Sequence, residues 1–368
     1  MLIICPITNP AGNQILSVLK LIYLSTLLDR IPILSSLSGA AHHEGDPIAL
    51  STFYNLTRLS DALDHPILEW AQVKDPAAGP AEPLGCWRTV PRGGGGKPAL
   101  TQSGLAPAYW SLPPEIERPT YSQLVTLADD PELGARSVAR ERHTLDLAGE
   151  NVPGAEPEEH LLCFDQHLRT WEEARVDGSK IDKEALQDLD PLGPAWAEVG
   201  QHLQWNDHLA GLAANLRTDL LGSASQPYIA VHLRQGDFIN QRRTQAGLIE
   251  PFVAAVAEIR ARLVAQHGKR WAAVPVVFAT DSHEQDYLVR LRALGWLHLD
   301  HARWETKERL GGWYPAHLDL AVLSGASGFV GSRLSSFSSL TARRVESWQG
   351  GPTMDVFAPN KPSTRHTE

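Results

Sequence analysis

Two spacings of apolar residues alternate along the chain, and together they predict its secondary structure. Short continuous apolar runs, such as Leu2 to Ile7 and Tyr228 to Leu233, are typical of strands buried on both faces. Longer stretches, such as Gln14 to Leu28 and Gly247 to His267, carry apolar residues at helical spacing. Because strands and helices alternate, the pattern predicts an α/β fold with doubly wound parallel sheets.

The second half of the chain has the more regular pattern. It begins with a predicted helix from about Trp196 to Leu221 and ends with another from Ser335 to Trp348. Between them the predicted strands are Tyr228 to Leu233, Val274 to Ala279, Trp296 to Leu299 and Gly328 to Gly331, and the predicted helices are Gly247 to His267, Glu284 to Leu294 and His317 to Ser324.

The length of 368 residues allows two domains, each with its own core. We expect residues 1–190 to form an N-terminal Rossmann-like domain with a Pro/Gly-rich insertion around 76–114. Residues 191–348 then form a second Rossmann-like domain, and residues 349–368, rich in Pro, Thr and charge, form a tail.

The composition limits the kinds of partner. The chain is 43% hydrophobic and 21% charged, which is typical of a folded globular protein. Its formal net charge of −10 argues against a nucleic-acid partner held by a broad basic surface. An anionic ligand must therefore be held by a local arrangement of charges and dipoles.

One apolar stretch, Ile15 to Leu34, raises the question of a membrane span. Charged residues and Pro32 interrupt it, so it is interpreted as a buried helix and the next strand, and no membrane segment is predicted. Met1 to Ile7 is too short for a signal sequence, so a secreted form would have its targeting part outside this chain.

Three cysteines, Cys5, Cys86 and Cys163, show no metal-ligand spacing, and their pairing stays open. A single N-glycosylation triplet occurs at Asn55-Leu-Thr57.

The run from Tyr228 to Phe238 places chemistry at the carboxyl end of a predicted strand. His232 and Arg234 end the strand and a Gly-Asp turn follows. Open α/β sheets bind ligands at this edge, where a guanidinium suits a diphosphate or the charge of a departing phosphate. The alternative is a structural Arg that pairs with Asp237 or another carboxylate.

A serine-rich segment, Gly331 to Ser338, follows the last predicted strand. Ser335, Ser336 and Ser338 supply hydroxyl and amide donors at the N-terminal end of a helix, which fits a phosphate. A serine-rich helix cap without a ligand is the simpler alternative.

Two aspartates lie near these segments. The carboxylate of Asp319 can accept two hydrogen bonds side by side, which matches the N1–H and exocyclic amine of guanine. An ordinary surface or capping role is equally open for Asp319, and capping of the next helix is favoured for Asp281.

Taken in order, these motifs resemble the GDP-fucose protein O-fucosyltransferase family. The resemblance rests on His-Leu-Arg-x-Gly-Asp-Phe, on Val-Phe-Ala-Thr-Asp-Ser, and on Asp319 followed by Gly-Phe-Val-Gly-Ser-x-x-Ser-Ser-Phe. The opening Gly-Asn-Gln on a first strand and helix matches too. The resemblance implies a GT-B fold, in which two Rossmann-like doubly wound domains face each other across a cleft and the C-terminal one binds GDP-fucose.

The resemblance also implies a role for each matching residue. Arg234 contacts the diphosphate and the glycosidic oxygen as the catalytic residue, and Asp319 reads guanine. The remaining expected contacts are His232 along the nucleotide, Ser335, Ser336 and Phe337 at the phosphates, and Gly12 and Asn13 on the acceptor side of the cleft.

Two departures from the family pattern concern the acceptor side. Pro10 stands where an Arg is common, and no acidic residue occurs between Met1 and Leu28 to act as a catalytic base. Glu44 is a candidate base by position, although a solvent-exposed loop glutamate is the favoured interpretation. Without a base, the acceptor proton would leave late, through water or the departing phosphate.

The resulting expectation is an inverting, metal-independent glycosyltransferase that moves fucose from GDP-fucose to a Ser or Thr hydroxyl of a protein in the endoplasmic reticulum or Golgi lumen. No cofactor is expected, and the donor and a protein or glycan acceptor are the expected partners. Two alternatives stay open: a transferase that uses a glycan acceptor or another nucleotide sugar, and a non-catalytic nucleotide-sugar-binding or scaffold protein.

Overall fold

The computed structural model describes residues 2–5, 11–37, 46–74, 82–89, 105–113, 116, 119–130, 132–133, 155–157, 160–164, 193–236 and 248–356. The chain divides into two compact units, Met1–Asn206 and Asp207–Glu368. The sequence-based division between residues 190 and 191 therefore differs from the packing, which keeps 193–206 with the first unit.

The first unit carries short strands and helices around a parallel sheet. Its described strands are β1 (Leu2–Cys5), β2 (Ile31–Leu34), β3 (Leu68–Glu69), β4 (Glu82–Arg88), β5 (Leu105–Ser111) and β6 (Leu161–Cys163), and its helices are α1 (Ala11–Leu27), α2 (Leu56–Leu63), α3 (Trp70–Val73), α4 (Tyr121–Asp129) and α5 (Gly193–Glu198).

Four strands of this unit form a sheet in the order β3-β2-β1-β6, and every neighbouring pair is parallel. The chain leaves β1 at the carboxyl edge of the sheet and reaches α1 at Ala11. The predicted strand–helix–strand opening is thus present. Helix α1 starts earlier than predicted, however, so Gly12 and Asn13 lie in its first turn rather than in the preceding loop.

A disulfide ties the first unit together. Cys86 in β4 is bonded to Cys163 in β6, and both residues are buried among Ile33, Trp70 and Leu84. The bond joins parts of the chain that are 77 residues apart in sequence. It therefore fixes the small β4–β5 pair against an edge of the main sheet.

The second unit alternates strands and helices throughout. Its described elements are α6 (Asp207–Leu221), β7 (Ile229–Leu233), α7 (Glu250–His267), β8 (Val276–Thr280), α8 (Gln285–Ala293), β9 (Leu297–His298), α9 (Thr306–Leu310), α10 (Tyr314–Ser324), β10 (Gly328–Ser332), α11 (Ser336–Arg344) and β11 (Thr353–Val356).

The five strands of the second unit form a fully parallel sheet in the order β11-β10-β7-β8-β9. Counted from β7, this is the doubly wound order 3-2-1-4-5, in which the winding reverses between the first and fourth strands. Here those strands are β7 and β10. Ligands of such sheets bind outside the carboxyl ends of the strands at this reversal, so the fold itself marks one location.

Apolar packing explains why this sheet is stable. Strands β7, β8 and β10 are almost wholly buried, as expected for central parallel strands. One face is covered by α7 and α8, whose buried residues include Phe252, Ile259 and Leu291, and the other by α6, α10 and α11. Among the described residues, no helix is long and apolar enough to cross a membrane.

The predicted helix from Trp196 to Leu221 is interrupted in the structure. Residues between α5 and α6 leave the helical path because they pair with a distant segment. The amide of Asn55 donates to the carbonyl of Gln204 at 3.0 Å, and the side chain of Asn206 donates to the carbonyl oxygens of Ser51 and Thr52. The helical spacing of the sequence contains no sign of this long-range pairing.

The predicted tail at 349–368 is also corrected. Residues Thr353–Val356 form β11, which pairs in parallel with β10. Alternate residues of a strand point to opposite faces of the sheet, so a short edge strand can pack on the core through few of them. In β11 the buried residue is Val356, and the sequence is less apolar than that of a central strand.

Removing the disulfide should destabilise the protein. Replacing both Cys86 and Cys163 by Ala should lower the free energy of unfolding by roughly 2–4 kcal/mol, because the unfolded chain regains the freedom of a long closed loop. Urea titration would measure the loss. Reductant should lower the melting temperature of the natural protein but not of the double variant, and equal sensitivity of both would contradict this role.

Candidate active site

Hydrogen bonds from Ser332 join the carboxyl ends of β7 and β10. The hydroxyl of Ser332 donates to the carbonyl of His232 at 3.1 Å and accepts from the amide of Arg234 at 2.9 Å. Ser332 is almost completely buried. The backbone that leads into Arg234 is therefore held where the winding of the sheet reverses.

Ser338 connects the same two strands to helix α11. Its hydroxyl accepts from the amide of Ser332 at 3.0 Å and lies 2.8 Å from Nδ1 of His232. Close packing at Gly331 makes this possible, since a Cβ there would lie 2.8 Å from the Cβ of Ser338. A residue larger than glycine would push α11 away from the sheet.

The imidazole of His232 is held neutral. Burial, and then the nearby positive charge of Arg234, lower the pKa of His232 from 6.5 to about 3. The hydroxyl of Ser338 accepts a hydrogen bond from the Ser332 amide, and Nδ1 of His232 lies within reach as an acceptor for its O–H. We infer that this buried O–H donates to Nδ1 and that Nε2 carries the imidazole hydrogen. The ring stacks on Phe337, with centroids 4.4 Å apart. A neutral, flat surface thus lines the strand end.

Arg234 stands beyond the end of β7 and pairs with Asp281. Its Nη1 lies 2.6 Å from Oδ2 of Asp281, and the two side chains are 19% and 28% exposed. The pair is therefore reachable from solvent rather than sealed in the core. The carboxylate of Asp281 also fixes the direction of the guanidinium.

Asp281 holds the turn as well as the guanidinium. Its Oδ1 accepts from the amide of Gln235 at 2.7 Å, and a Cβ on Gly236 would come within 2.3 Å of its Oδ2. A larger residue at 236 would therefore displace the carboxylate from this position. The favoured helix-capping interpretation of Asp281 is wrong: α8 begins after Glu284 without a side-chain cap.

Helix α11 begins as the sequence predicted. Ser335 is its N-cap, and its hydroxyl accepts from the amide of Ser338 at 3.3 Å. Ser336 and Phe337 form the first turn and are partly exposed, beside the carboxyl ends of β7 and β10. Leu334, just before the cap, has a left-handed φ of 68°, which is strained for a residue with a side chain. A helix N-terminus of this kind favours an anion.

Asp319 lies in α10 and is hydrogen-bonded to His301. Its Oδ1 is 2.9 Å from Nε2 of His301, and both side chains are 18% exposed. Burial alone would lower the pKa of His301, but the charge of Asp319, the hydrogen bond to it and the charge of Asp300 together raise it. Asp319 therefore has a partner that the sequence did not suggest.

Gly12 and Asn13 belong to the first unit. Gly12 is buried and Asn13 partly exposed, at the N-terminal end of α1, and the carbonyl of Asn13 accepts from the hydroxyl of Ser17 at 3.1 Å. Pro10, Glu44 and Asp237 lie outside the described residues. Within the described ranges, no group of three or more His, Cys, Asp or Glu side chains could hold a metal ion.

Some residues of the site had no role assigned from the sequence. Ser332, Thr280 and His301 all follow or end strands, and Thr280 donates to the carbonyl of Leu233 at 2.7 Å. The position of Thr280 and Ser332 at strand ends was a usable signal. His301 had none, because it follows a strand of only two residues.

Chemically, the arrangement can hold an anion. The guanidinium of Arg234, the N-terminal end of α11 and the hydroxyls of Ser335 and Ser336 lie at the carboxyl ends of β7 and β10, next to a neutral imidazole. The predicted residues His232, Arg234, Ser335, Ser336 and Phe337 are brought together here. Asp319 is on another helix of the same unit.

Comparisons with known proteins agree with the motif pattern. The family described as GDP-fucose protein O-fucosyltransferase matches residues 4–347. No curated protein matches the chain in sequence.

Solved structures match over almost the whole chain. A crystal structure of POFUT1 in complex with GDP-fucose has a TM-score of 0.56 at 15% identity and covers 98% of each chain. Another POFUT1 structure, in complex with GDP, has a TM-score of 0.57 at 15% identity and covers 96% of this chain and 97% of that one. The predicted GT-B fold class is thereby confirmed.

The depressed pKa of His232 predicts a pH-dependent stability. The unfolded chain protonates this histidine near pH 6.5 and the folded chain only near pH 3. Between these values the unfolded form binds the extra proton, so this contribution to the free energy of unfolding falls with decreasing pH, by up to about 1.4 kcal/mol per unit.

Urea titrations between pH 6.5 and 4.5 would measure this. His232→Asn keeps a polar partner for Ser338 but cannot titrate, so its stability should fall less steeply than that of the natural protein. Parallel pH profiles of the two proteins would show that the buried ring is protonated in the folded state.

Proposed function

The chain belongs to the GDP-fucose protein O-fucosyltransferase family, and we propose that it transfers fucose from GDP-fucose, with inversion and without a metal ion, to a serine or threonine hydroxyl of a protein. As a member of this family it is a glycosyltransferase. The observation that carries the proposal is the position of Arg234 and the N-terminal end of α11 at the winding reversal of the second sheet.

The donor's diphosphate is assigned to this position. Arg234 offers a planar set of donors to phosphate oxygens. The start of α11 offers the hydroxyls of Ser335 and Ser336 and the amides of Ser336 and Phe337. His232, being neutral, adds no charge and lies along the nucleotide with its ring against Phe337. These groups act on the diphosphate over short distances, as is expected in a chain whose net charge is −10.

Asp319 is assigned to the guanine base. Its carboxylate can accept from N1–H and from the exocyclic amine at once, a pattern that uracil does not offer. This assignment makes the enzyme selective for a guanosine donor.

The reaction needs negative charge to be stabilised on the departing GDP. The acceptor oxygen forms a bond to the anomeric carbon while the bond to the phosphate oxygen breaks, and both electrons of that bond leave with GDP. Arg234 stabilises this charge, as a metal ion does in other transferases. The acceptor proton passes to water or to the departing phosphate, and no base residue is assigned.

Gly12 and Asn13 are assigned to the acceptor side. They lie at the N-terminal end of α1, after the carboxyl end of β1, where parallel sheets bind ligands. The location is proposed to be the lumen of the endoplasmic reticulum or Golgi, and the Cys86–Cys163 disulfide supports an oxidising compartment.

A transfer assay tests the proposed reaction. The purified protein, GDP-fucose and candidate folded proteins are incubated with EDTA, and mass spectrometry and NMR follow the product. We expect fucose on a Ser or Thr, with an anomeric configuration opposite to that of the donor. Activity lost in EDTA and restored by manganese would contradict metal independence. Transfer only to glycans, or GDP binding without any turnover, would contradict the proposed acceptor or the catalytic role.

Arg234 provides the sharpest test of mechanism. Arg234→Ala should reduce kcat by roughly 100- to 1,000-fold, because a preorganised charge at the leaving group is lost. Arg234→Lys keeps the charge without the planar donors and should be intermediate. Arg262→Ala serves as the matched control, since Arg262 is exposed on α7 and pairs only locally with Glu258. Near-normal turnover of Arg234→Ala would refute the assigned role.

A further inference from the structure

His301 lies at the same edge of the second sheet as Arg234. Strand β9 pairs with β8 in parallel, and the amide of Leu299 donates to the carbonyl of Phe278 at 3.0 Å. The chain then passes the carboxyl edge of the sheet and reaches His301. Both ring nitrogens of His301 have partners there: Nε2 faces Oδ1 of Asp319 at 2.9 Å, and Nδ1 faces the hydroxyl of Thr306 at 3.0 Å.

The segment that carries His301 is tightly closed. The amide of Thr306 donates to the carbonyl of His301 at 3.0 Å, and the amide of Glu305 donates to that of Ala302 at 3.2 Å. Glu305 has a left-handed φ of 51°, and Thr306 is buried at the start of α9. A backbone strained in this way persists only where its surroundings hold it, so the backbone that carries the imidazole is fixed in position.

The contact to Asp319 does not depend on the protonation of the ring. When neutral, the ring donates from Nε2 to Asp319 and accepts at Nδ1 from Thr306. When charged, it donates from both nitrogens, and the hydroxyl of Thr306 reverses its role. Among the described residues, Asp300 and His298 also interact electrostatically with the ring, and Arg292 contacts both of them. The donor to Asp319 is therefore constant.

We propose that His301 is a positioning residue for recognition of the guanine base, acting by fixing the carboxylate of Asp319. This inference rests on the assignment of Asp319 to guanine in the proposed function. The torsion of an aspartate carboxyl group is broad, so a free side chain samples orientations in which its two oxygens do not face the base edge. Holding Oδ1 removes that freedom, and each carboxylate oxygen still has a lone pair for a guanine N–H.

Thr306 extends the same argument by one step. Its hydroxyl holds Nδ1 and so sets the rotation of the imidazole ring. Guanine selectivity is thus predicted to depend on a chain of side chains, Thr306, His301 and Asp319, of which only the last touches the nucleotide.

Calorimetric titration with GDP, IDP and UDP tests the proposal. IDP keeps N1–H but lacks the exocyclic amine, so the ratio of its Kd to that of GDP reports the second hydrogen bond to Asp319. His301→Phe keeps the approximate size of the ring without its nitrogens. It should raise the Kd of GDP about 10-fold and bring the ratio of the IDP Kd to the GDP Kd toward one. His301→Gln can still donate near the position of Nε2 and should retain most of the selectivity. The selectivity of Thr306→Val for GDP over IDP should lie between those of the two His301 variants.

Controls separate this inference from the assignment on which it rests. Asp319→Asn should remove the discrimination between GDP and IDP, and His267→Phe, a change at an exposed position on α7, should leave it unchanged. If Asp319→Asn removes the discrimination but His301→Phe does not, the role of His301 is overturned while the guanine assignment stands. If neither the natural protein nor Asp319→Asn distinguishes GDP from IDP, the guanine assignment itself fails. Equal losses in His301→Phe and His301→Gln, with matching drops in melting temperature, would indicate a merely structural histidine and overturn the proposal.

Discussion

The hydrogen bonds that tie β7 to β10 are the constraint from which the site follows. In a sheet wound in the order 3-2-1-4-5, the first and fourth strands are neighbours whose connections leave in opposite directions, and a crevice opens at their carboxyl ends. Here Ser332 and Ser338 bridge that position, one through the backbone of His232 and Arg234 and the other through the imidazole. The two serines thus fix both the end of β7, which carries Arg234, and the N-terminal end of α11 beside it.

Electrostatics follow from the same arrangement. A chain with a net charge of −10 repels anions at long range, so an anion site must act over short distances. Burial keeps His232 neutral, so this residue adds nothing to the positive potential that Arg234 and the dipole of α11 supply at this edge. Asp281 reduces the net positive charge of the pair, so the pair attracts an anion less strongly than Arg234 alone would. In return Asp281 orients the guanidinium, and a fixed orientation matters for a group that acts on one breaking bond.

The sequence predicted most of the second sheet because its signals are local. Tyr228 to Leu233 is continuously apolar, and Ser335 begins a helix in a familiar capping pattern, so each can be recognised without knowing what it packs against. The features that the sequence did not predict depend instead on contacts between residues far apart in the chain. The interruption after Glu198 depends on pairing with Ser51 to Asn55, and Asp281 binds Gln235 from 46 residues away in sequence. The partner of Asp319 was missed for the same reason, since His301 is brought to it only by tertiary folding.

A crystal structure with GDP bound would test the central claim most directly. The account predicts the diphosphate at the carboxyl ends of β7 and β10, with its oxygens contacting the guanidinium of Arg234 and the amides at the start of α11. A nucleotide bound elsewhere, with Arg234 still engaged only with protein groups such as Asp281, would contradict it.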